Sequence, residues 1–262
     1  MATLTGGALD DAGSRSTRDS LFGGRLVLFQ PPRGAGYRTN VDALLLAGFA
    51  AASPPAVLRS VAQARPRTLP VAYDLGAGVG AVGLSLLRFG AARHVVFVEI
   101  DEAPAALARR NLDANGWSSQ GEVVQCDVRD VARSCRGEAG LVVCNPPYVA
   151  PGRGQASLSE LRARVGELST FVDAARQLAG QRARVCFIYP AAELVTLVGT
   201  LQSRGLHPKR LRLVHATPTT PARVALVEAR PGRSGGLAVL PALVERVSHE
   251  YTPELQSLLA SE

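Results

Sequence analysis

No apolar run in this 262-residue sequence approaches the length needed to cross a bilayer. The longest, roughly Val41 to Ala52, is interrupted by Asp42 and Gly48, whereas a spanning helix needs about 20 predominantly apolar residues. No membrane partner is expected, and the chain reads as soluble. An apolar secretory segment is missing as well: residues 1–20 carry Asp10, Asp11 and Asp19 among small polar residues, and are expected to form a disordered tail on a cytoplasmic protein. The four cysteines, Cys126, Cys135, Cys144 and Cys186, form no CxxC pair and have no histidines at ligand spacing. That excludes a zinc module and a disulfide framework, so no metal is expected and the thiols read as buried structural groups. Repeats at solenoid periods are absent. Lysine is nearly so, Lys209 being the only one among 29 basic residues, so the sign of the charge is more informative than the choice of arginine.

What is present is a composition 47% hydrophobic, enough for one full α/β domain with a modest attachment. The formal charge is +7, and from Arg204 to Arg233 seven basic residues face Glu228 alone. A basic C-terminal third suits a polyanionic partner, although a solvated basic face has the same signature.

Along the chain, Arg25 to Gln30 has strand character and Pro31 to Gly36 loop chemistry. Val41, Leu44, Leu45, Ala47 and Gly48 then form the stripe of a helix that Thr39 or Asn40 can cap, and Ser53 to Thr68 reads as a proline-broken connector. From Val71 onward strands and helices alternate. Strands are expected at about 71–74, 94–98, 123–126, 141–144 and 184–189, with helices at 81–89, 103–115, 158–178 and 191–204 between or after them. Such alternation predicts a doubly wound, mostly parallel sheet of seven strands. Its last two strands, about 209–215 and 223–229, are joined by so short a link that they must be antiparallel neighbours. The expected organisation is a tail over 1–20, an N-terminal extension with strand and helix over 21–69, the α/β domain over 70–232, and a C-terminal tail over 233–262 packing on it.

The first strand of the series runs into Asp74-Leu-Gly76-Ala-Gly78-Val-Gly80-Ala-Val-Gly83. Gly78, Gly80 and Gly83 satisfy the dinucleotide pattern GxGxxG; Asp74, Gly76, Gly78 and Gly80 satisfy the D-x-G-x-G-x-G turn of enzymes that use S-adenosylmethionine. The acidic residue discriminates: Asp74 can sit near the cationic amino-acid end of the sulfonium cofactor but would repel a pyrophosphate. Glu99, at the end of the next strand, can accept from ribose hydroxyls of either cofactor. Asp101 reads as a helix cap. Asp127, after the third strand, can accept from an adenine amino group, or is a surface turn aspartate.

After the fourth strand comes Asn145-Pro146-Pro147-Tyr148, at the carboxyl edge where doubly wound folds bind ligands. Two prolines fix φ, so the Asn145 amide and the Pro146 carbonyl can point rigidly at one planar amino group while Tyr148 stacks on it. A conjugated amino nitrogen is a poor nucleophile because its lone pair is delocalised. Two acceptors on its hydrogens favour a pyramidal form and free that lone pair, with no metal or dedicated base.

With these motifs the sequence resembles the class I methyltransferases of the amino-methylating group, and more narrowly the bacterial tRNA(Val) adenine-37 N6-methyltransferase family. The match is carried by Gly36-Tyr-Arg-Thr-Asn-Val-Asp-Ala-Leu-Leu-Leu-Ala47, by the glycine turn through Asn111-Leu-Asp-Ala-Asn-Gly116, by Asn145-Pro-Pro-Tyr148, and at the C-terminus by Leu211–His215, Arg223–Ala229 and Glu250-Tyr-Thr-Pro-Glu254. The resemblance implies S-adenosylmethionine as cofactor, tRNA as partner through the basic C-terminal third, and Tyr37, Arg38 and Asp42 near the cofactor's methionine end or the substrate mouth. Asp42 can equally be a first-turn helix residue stabilised by the dipole. One departure is that Ala163-Arg-Val-Gly166 lacks the His-Glu half of a run common in that family, which bears on the acceptor. The same motifs suit a release-factor glutamine methyltransferase or an rRNA or DNA adenine methyltransferase. A non-catalytic RNA-binding module and a dehydrogenase are the readings from other classes.

Overall fold

A computed structural model describes residues 16–32, 34, 38–39, 41–52, 70–146, 158–232 and 234–260, with the backbone alone over 158–165. Tyr37, Asn40, Pro147, Tyr148 and the connector 53–68 lie outside the described residues.

The central sheet forms from the apolar runs read above, several of them longer in the structure. They are β3 (Val71–Leu75), β4 (His94–Glu99), β5 (Gly121–Gln125), β6 (Ala139–Cys144), β7 (Ala179–Pro190), β8 (Leu206–His215) and β9 (Ala222–Pro231). Helices α2 (Ala81–Arg88), α3 (Glu102–Ala114), α4 (Val128–Ser134), α5 (Leu158–Leu178) and α6 (Leu194–Ser203) connect or follow them. Two short strands, β10 (Ala238–Val239) and β11 (Leu243–Val244), and the hairpin of β12 (Arg246–Val247) with β13 (Glu250–Tyr251) precede α7 (Pro253–Ala260). The spatial order is β10-β8-β9-β7-β6-β3-β4-β5, with β11 also on β8, making nine strands rather than seven. β9 is antiparallel to both β7 and β8, so a single reversed strand lies among parallel ones. The short link from β8 to β9 requires that reversal.

Strands buried on both faces read as continuous apolar runs: Val142, Val143, Val185, Phe187 and Ile188 are all fully buried. α1 (Val41–Ala51), α2 and α3 cover one face, and α4, α5 and α6 the other. Of the tail, residues 17–20 are ordered. β1 (Thr17–Leu21) pairs antiparallel with β2 (Leu26–Gln30), because Leu26 and Leu28 bury one face and need a partner strand.

This hairpin docks on α3 by an arrangement written into Asn111-Leu-Asp-Ala-Asn115. The two asparagines stand one helical turn apart and each uses its amide as a strand would. Phe29 N–H donates to Asn111 Oδ1 at 2.6 Å and Asn111 Nδ2 donates to Phe29 O at 3.1 Å. Val27 and Asn115 repeat the exchange at 2.9 and 2.8 Å. Alternate residues of β2 thus meet side chains four apart on a helix.

A buried ionic cluster ties β7, β8 and β9 to α1. Glu228, 1% exposed, meets Arg184 at 2.9 Å, Arg210 at 3.0 Å and Arg230 at 3.0 Å. Burial raises the Glu228 pKa, but the three guanidinium groups outweigh it and hold the carboxyl below its ordinary value. Arg210 also donates to Phe49 O at 2.7 Å and Ala52 O at 3.2 Å, closing the carbonyl end of α1. Among the described residues no helix is long and apolar enough to cross a membrane.

Candidate active site

At the end of β3 the chain reverses through Gly76, Gly78 and Gly80, with φ of 68°, 56° and 86°, where a side chain would be strained. Gly76 N–H and Ala77 N–H both donate to Val98 O, at 2.9 and 3.0 Å, which pins the turn to β4. Gly83 serves packing: a Cβ there would stand 2.3 Å from Phe97 Cε1, so only glycine lets α2 lie this close to β4. Asp74 is beneath the turn, 1% exposed, accepting from Gly83 N–H at 2.8 Å. Burial drives its pKa up to about 7, with the charge of Glu99 adding to the rise and the Gly83 hydrogen bond opposing it. Asp74 thus braces the turn from below and is not itself in the cleft lining.

Glu99, 8% exposed, accepts from Gly78 N–H at 2.7 Å and from Asp101 N–H at 3.0 Å. A carboxylate has about four acceptor positions, so two remain for ligand hydroxyls. Asp101 occupies the cap position of α3, but its side chain makes no capping bond. Asp127 caps α4, a helix not read from the sequence, by accepting from Arg129 N–H at 2.8 Å. It also pairs with the Arg129 guanidinium at 2.5 Å, and these bonds bring its pKa down to about 2.

These groups surround a cleft of about 750 Å³ at the carboxyl edge of the sheet. Gly76 to Val79 form one side, Pro31, Thr39 and Ala43 another, and Thr170 and Phe171 of α5 a third. The Gln30 amide sets the second wall, since Thr39 N–H donates to its Oε1 at 2.7 Å. Asn111 adds a tie to the first by donating to Val79 O at 2.9 Å. Among the described residues the cleft's charged lining is acidic: Glu99, Asp101, Asp127 and Glu167, with no arginine, lysine or histidine. In a chain of net charge +7 such a cavity selects a cation and opposes a pyrophosphate.

Asn145 and the buried Pro146 line the same cleft. Asn145 Oδ1 is buried and has no hydrogen-bond partner among the described residues. An acceptor desolvated in that way is costly unless a ligand supplies the donor. Two residues expected near the cofactor or the substrate mouth are placed differently from the others. Arg38 and Asp42 do not line the cleft: Arg38 pairs with Asp19 at 2.5 Å and donates to Thr17 Oγ1 at 2.6 Å, and Asp42, 1% exposed, pairs with Arg223 at 2.6 Å. Both cations and anions there are consumed in joining segments. Sequence reasoning missed Glu167, Thr170 and Phe171, whose spacing of three and four residues on α5 is the signal of one helix face.

An acid-lined cleft at the carboxyl edge, a D-x-G-x-G-x-G turn and an unpartnered Asn145 acceptor define a methyltransferase that uses S-adenosylmethionine. Residues 57–163 match the family described as "Methyltransferase small domain". It is 32% identical over 162 residues to the tRNA1(Val) (adenine(37)-N6)-methyltransferase of Erwinia tasmaniensis, a match covering 60% of this chain and 66% of that protein. The enzyme of the same description from Flavobacterium psychrophilum is 28% identical over 189 residues, covering 71% of this chain and 80% of the relative. Among solved structures, one described as a predicted O-methyltransferase from Agrobacterium tumefaciens superposes with a TM-score of 0.62 at 25% identity, over 83% of this chain and 94% of that one.

Proposed function

We propose that the protein methylates the exocyclic N6 amino group of an adenine in tRNA. The observation that carries the reading is the buried, unpartnered Oδ1 of Asn145, a residue of the acid-lined cleft; the named activity of the relatives supports the choice of acceptor. Gly76, Gly78, Glu99 and Asp127 would hold the cofactor, and Asp74 and Gly80 would keep the turn in shape. When bound, S-adenosylmethionine supplies an electrophilic methyl carbon on a positively charged sulfur. Asn145 Oδ1 accepts one hydrogen of the amino group and the Pro146 carbonyl the other, which draws the nitrogen toward a pyramidal form. Tyr148 stacks on the base and holds the nitrogen in line. The amino proton passes to water after transfer, because no chain residue is needed to store it at neutral pH.

The base would be taken out of its stack to reach the cleft. On this reading the C-terminal third faces the tRNA backbone, with a smaller role than its composition suggests. Arg204, Arg210, Arg212, Arg223 and Arg230 are ion-paired with Asp173, Glu228, Glu254, Asp42 and Glu228 respectively. A cytoplasmic location goes with the proposal, and four free cysteines accord with a reducing compartment.

The test is transfer of labelled methyl to unmodified tRNA and to a release-factor protein, followed by nucleoside analysis. N6-methyladenosine in tRNA is expected, with Asn145→Ala lowering kcat by about 10²-fold or more while cofactor affinity stays within about threefold. Label in protein alone, or equal losses of rate and cofactor affinity in the variant, would overturn the assignment.

A further inference from the structure

The geometry points to the β12–β13 hairpin as the surface that grips a single-stranded nucleotide of the tRNA beside the target base, with Arg246 and Tyr251 as its contact pair; this rests on the tRNA reading above. Its position comes first. β11 pairs with Val214 and His215 at the end of β8, and β8 runs in the same direction as β7, because both are antiparallel to β9. The carboxyl ends of β6, β7 and β8 therefore share one edge, and the chain leaves β11 along that edge through Glu245 N–H to His215 O at 2.8 Å and Arg246 N–H to Ala216 O at 3.1 Å. Asn145 follows β6 on the same edge.

The hairpin's chemistry comes second. Arg246 and Tyr251 are cross-strand partners, hence on one face, and Val247 and Glu250 are partners on the other. The Arg246 guanidinium lies over the Tyr251 ring at 4.1 Å and donates through Nη1 to His249 O at 2.9 Å, which leaves its other N–H groups for a ligand, and Tyr251 is 38% exposed. One face thus offers a ring and a cation without a carboxylate, the combination that stacks a base and meets its phosphate. The carboxylate of Glu245 at the hairpin's base is already matched, at 2.5 Å, by Arg223.

The anchoring comes third. Arg223 also holds Asp42 in the first turn of α1, next to the cleft-lining Ala43, and Thr252 Oγ1 donates to Val244 O at 2.7 Å. Ser248 and His249, the two residues of the turn, have φ of 50° and 71°, a left-handed pair that glycine would normally supply.

The experiment measures tRNA binding and methyl transfer for the full chain and for Arg246→Ala, Tyr251→Ala and Tyr251→Phe. Each alanine variant is expected to raise the tRNA Kd or KM by about 5- to 100-fold. Arg246→Ala should also lower the salt-dependence slope by about one. Tyr251→Phe keeps the ring and should stay within about twofold of the parent, and cofactor affinity and Tm should not move in any variant. Unchanged tRNA affinity in both alanine variants overturns the inference, as does a loss that follows a fall in Tm. Loss of transfer to a protein acceptor with tRNA affinity intact overturns it too. A parent chain that transfers no methyl group to any tRNA refutes the tRNA reading itself, which is a separate result from unaffected variants of an active parent.

Discussion

Asp74→Asn should make the cofactor-free protein more stable as pH rises, relative to the parent. The carboxyl is 1% exposed beneath the glycine turn and its pKa is pushed from 3.8 to about 7 in the folded chain. A raised carboxyl pKa means that between those values the folded state holds a proton the unfolded state has lost. Stability from this group is therefore full below about pH 4, falls as pH rises toward 7, and is flat above it. The whole change corresponds to about 4 kcal/mol, an order-of-magnitude figure for a fully buried group. At about 2–4 °C per kcal/mol, the Tm difference between variant and parent should widen by on the order of 10 °C from pH 4.5 to pH 8. The absolute offset at any one pH includes the cost of burying an amide N–H₂ and is not diagnostic; the widening is.

The assay is thermal unfolding of both proteins across that pH range without cofactor. A Tm difference independent of pH would refute the claim that Asp74 is buried and protonated at low pH. Cofactor titration gives a second check. A cation in the cleft stabilises the ionised carboxylate, so the parent's S-adenosylmethionine affinity should rise up to about pH 7 and level off. The variant should lack that rise and bind more weakly above it. The turn would then exemplify stability given up for ligand binding.

Removing the centre of the arginine cluster by Glu228→Gln should destabilise the fold by about 3–5 kcal/mol, because Arg184 and Arg210 would be left buried without a counter-charge; a Tm within 2 °C of the parent (about 1 kcal/mol or less) would count against it. Asn111→Ala and Asn115→Ala should each cost about 1–3 kcal/mol by unpairing Phe29 and Val27. Only Asn111→Ala should also weaken cofactor binding, since Asn111 alone donates to Val79 O in the glycine turn. Equal effects of the two on cofactor affinity, read by isothermal titration, would break that distinction.

What could be read from the chain follows the range of the interactions involved. The strands at 71–75, 94–99 and 139–144 and the helix at 158–178 are visible because hydrophobic period and turn residues are local signals. β1 escaped notice because Thr17–Leu21 is unremarkable alone and gains its order from Leu26 and Leu28 across the hairpin. β10 to β13 are two residues each and owe their shape to β8 and to side-chain ties. At the site, Glu99, Asp127, Gly76, Gly78 and Asn145 lie on the cleft as their motif positions suggest. Arg38, Asp42, Arg210 and Arg212 do not behave as their types suggest, because each found an opposite charge distant in sequence. A charge count sees the sign of a residue and not its partner.

That pairing bears on how a polyanion can be the substrate of an acid-lined cleft. Glu99, Asp101, Asp127 and Glu167 repel phosphate as effectively as they attract a sulfonium. A nucleic-acid backbone therefore cannot follow its base inward; on the proposed reading it stays outside the acidic lining. Only an uncharged base can cross from one region to the other. The acceptor that meets Asn145 must then be a neutral amine on a planar ring, detached from its stack, with its phosphates held outside. The same separation disfavours a mononucleotide, which would bring its phosphate close to the acidic lining without the length of chain needed to keep it away. Methyl transfer to adenosine monophosphate should accordingly be far slower than to tRNA, and free adenine should not suffer the same electrostatic penalty. Comparison of the two small acceptors at low and high salt isolates that term, because screening should help the monophosphate and leave the base unchanged.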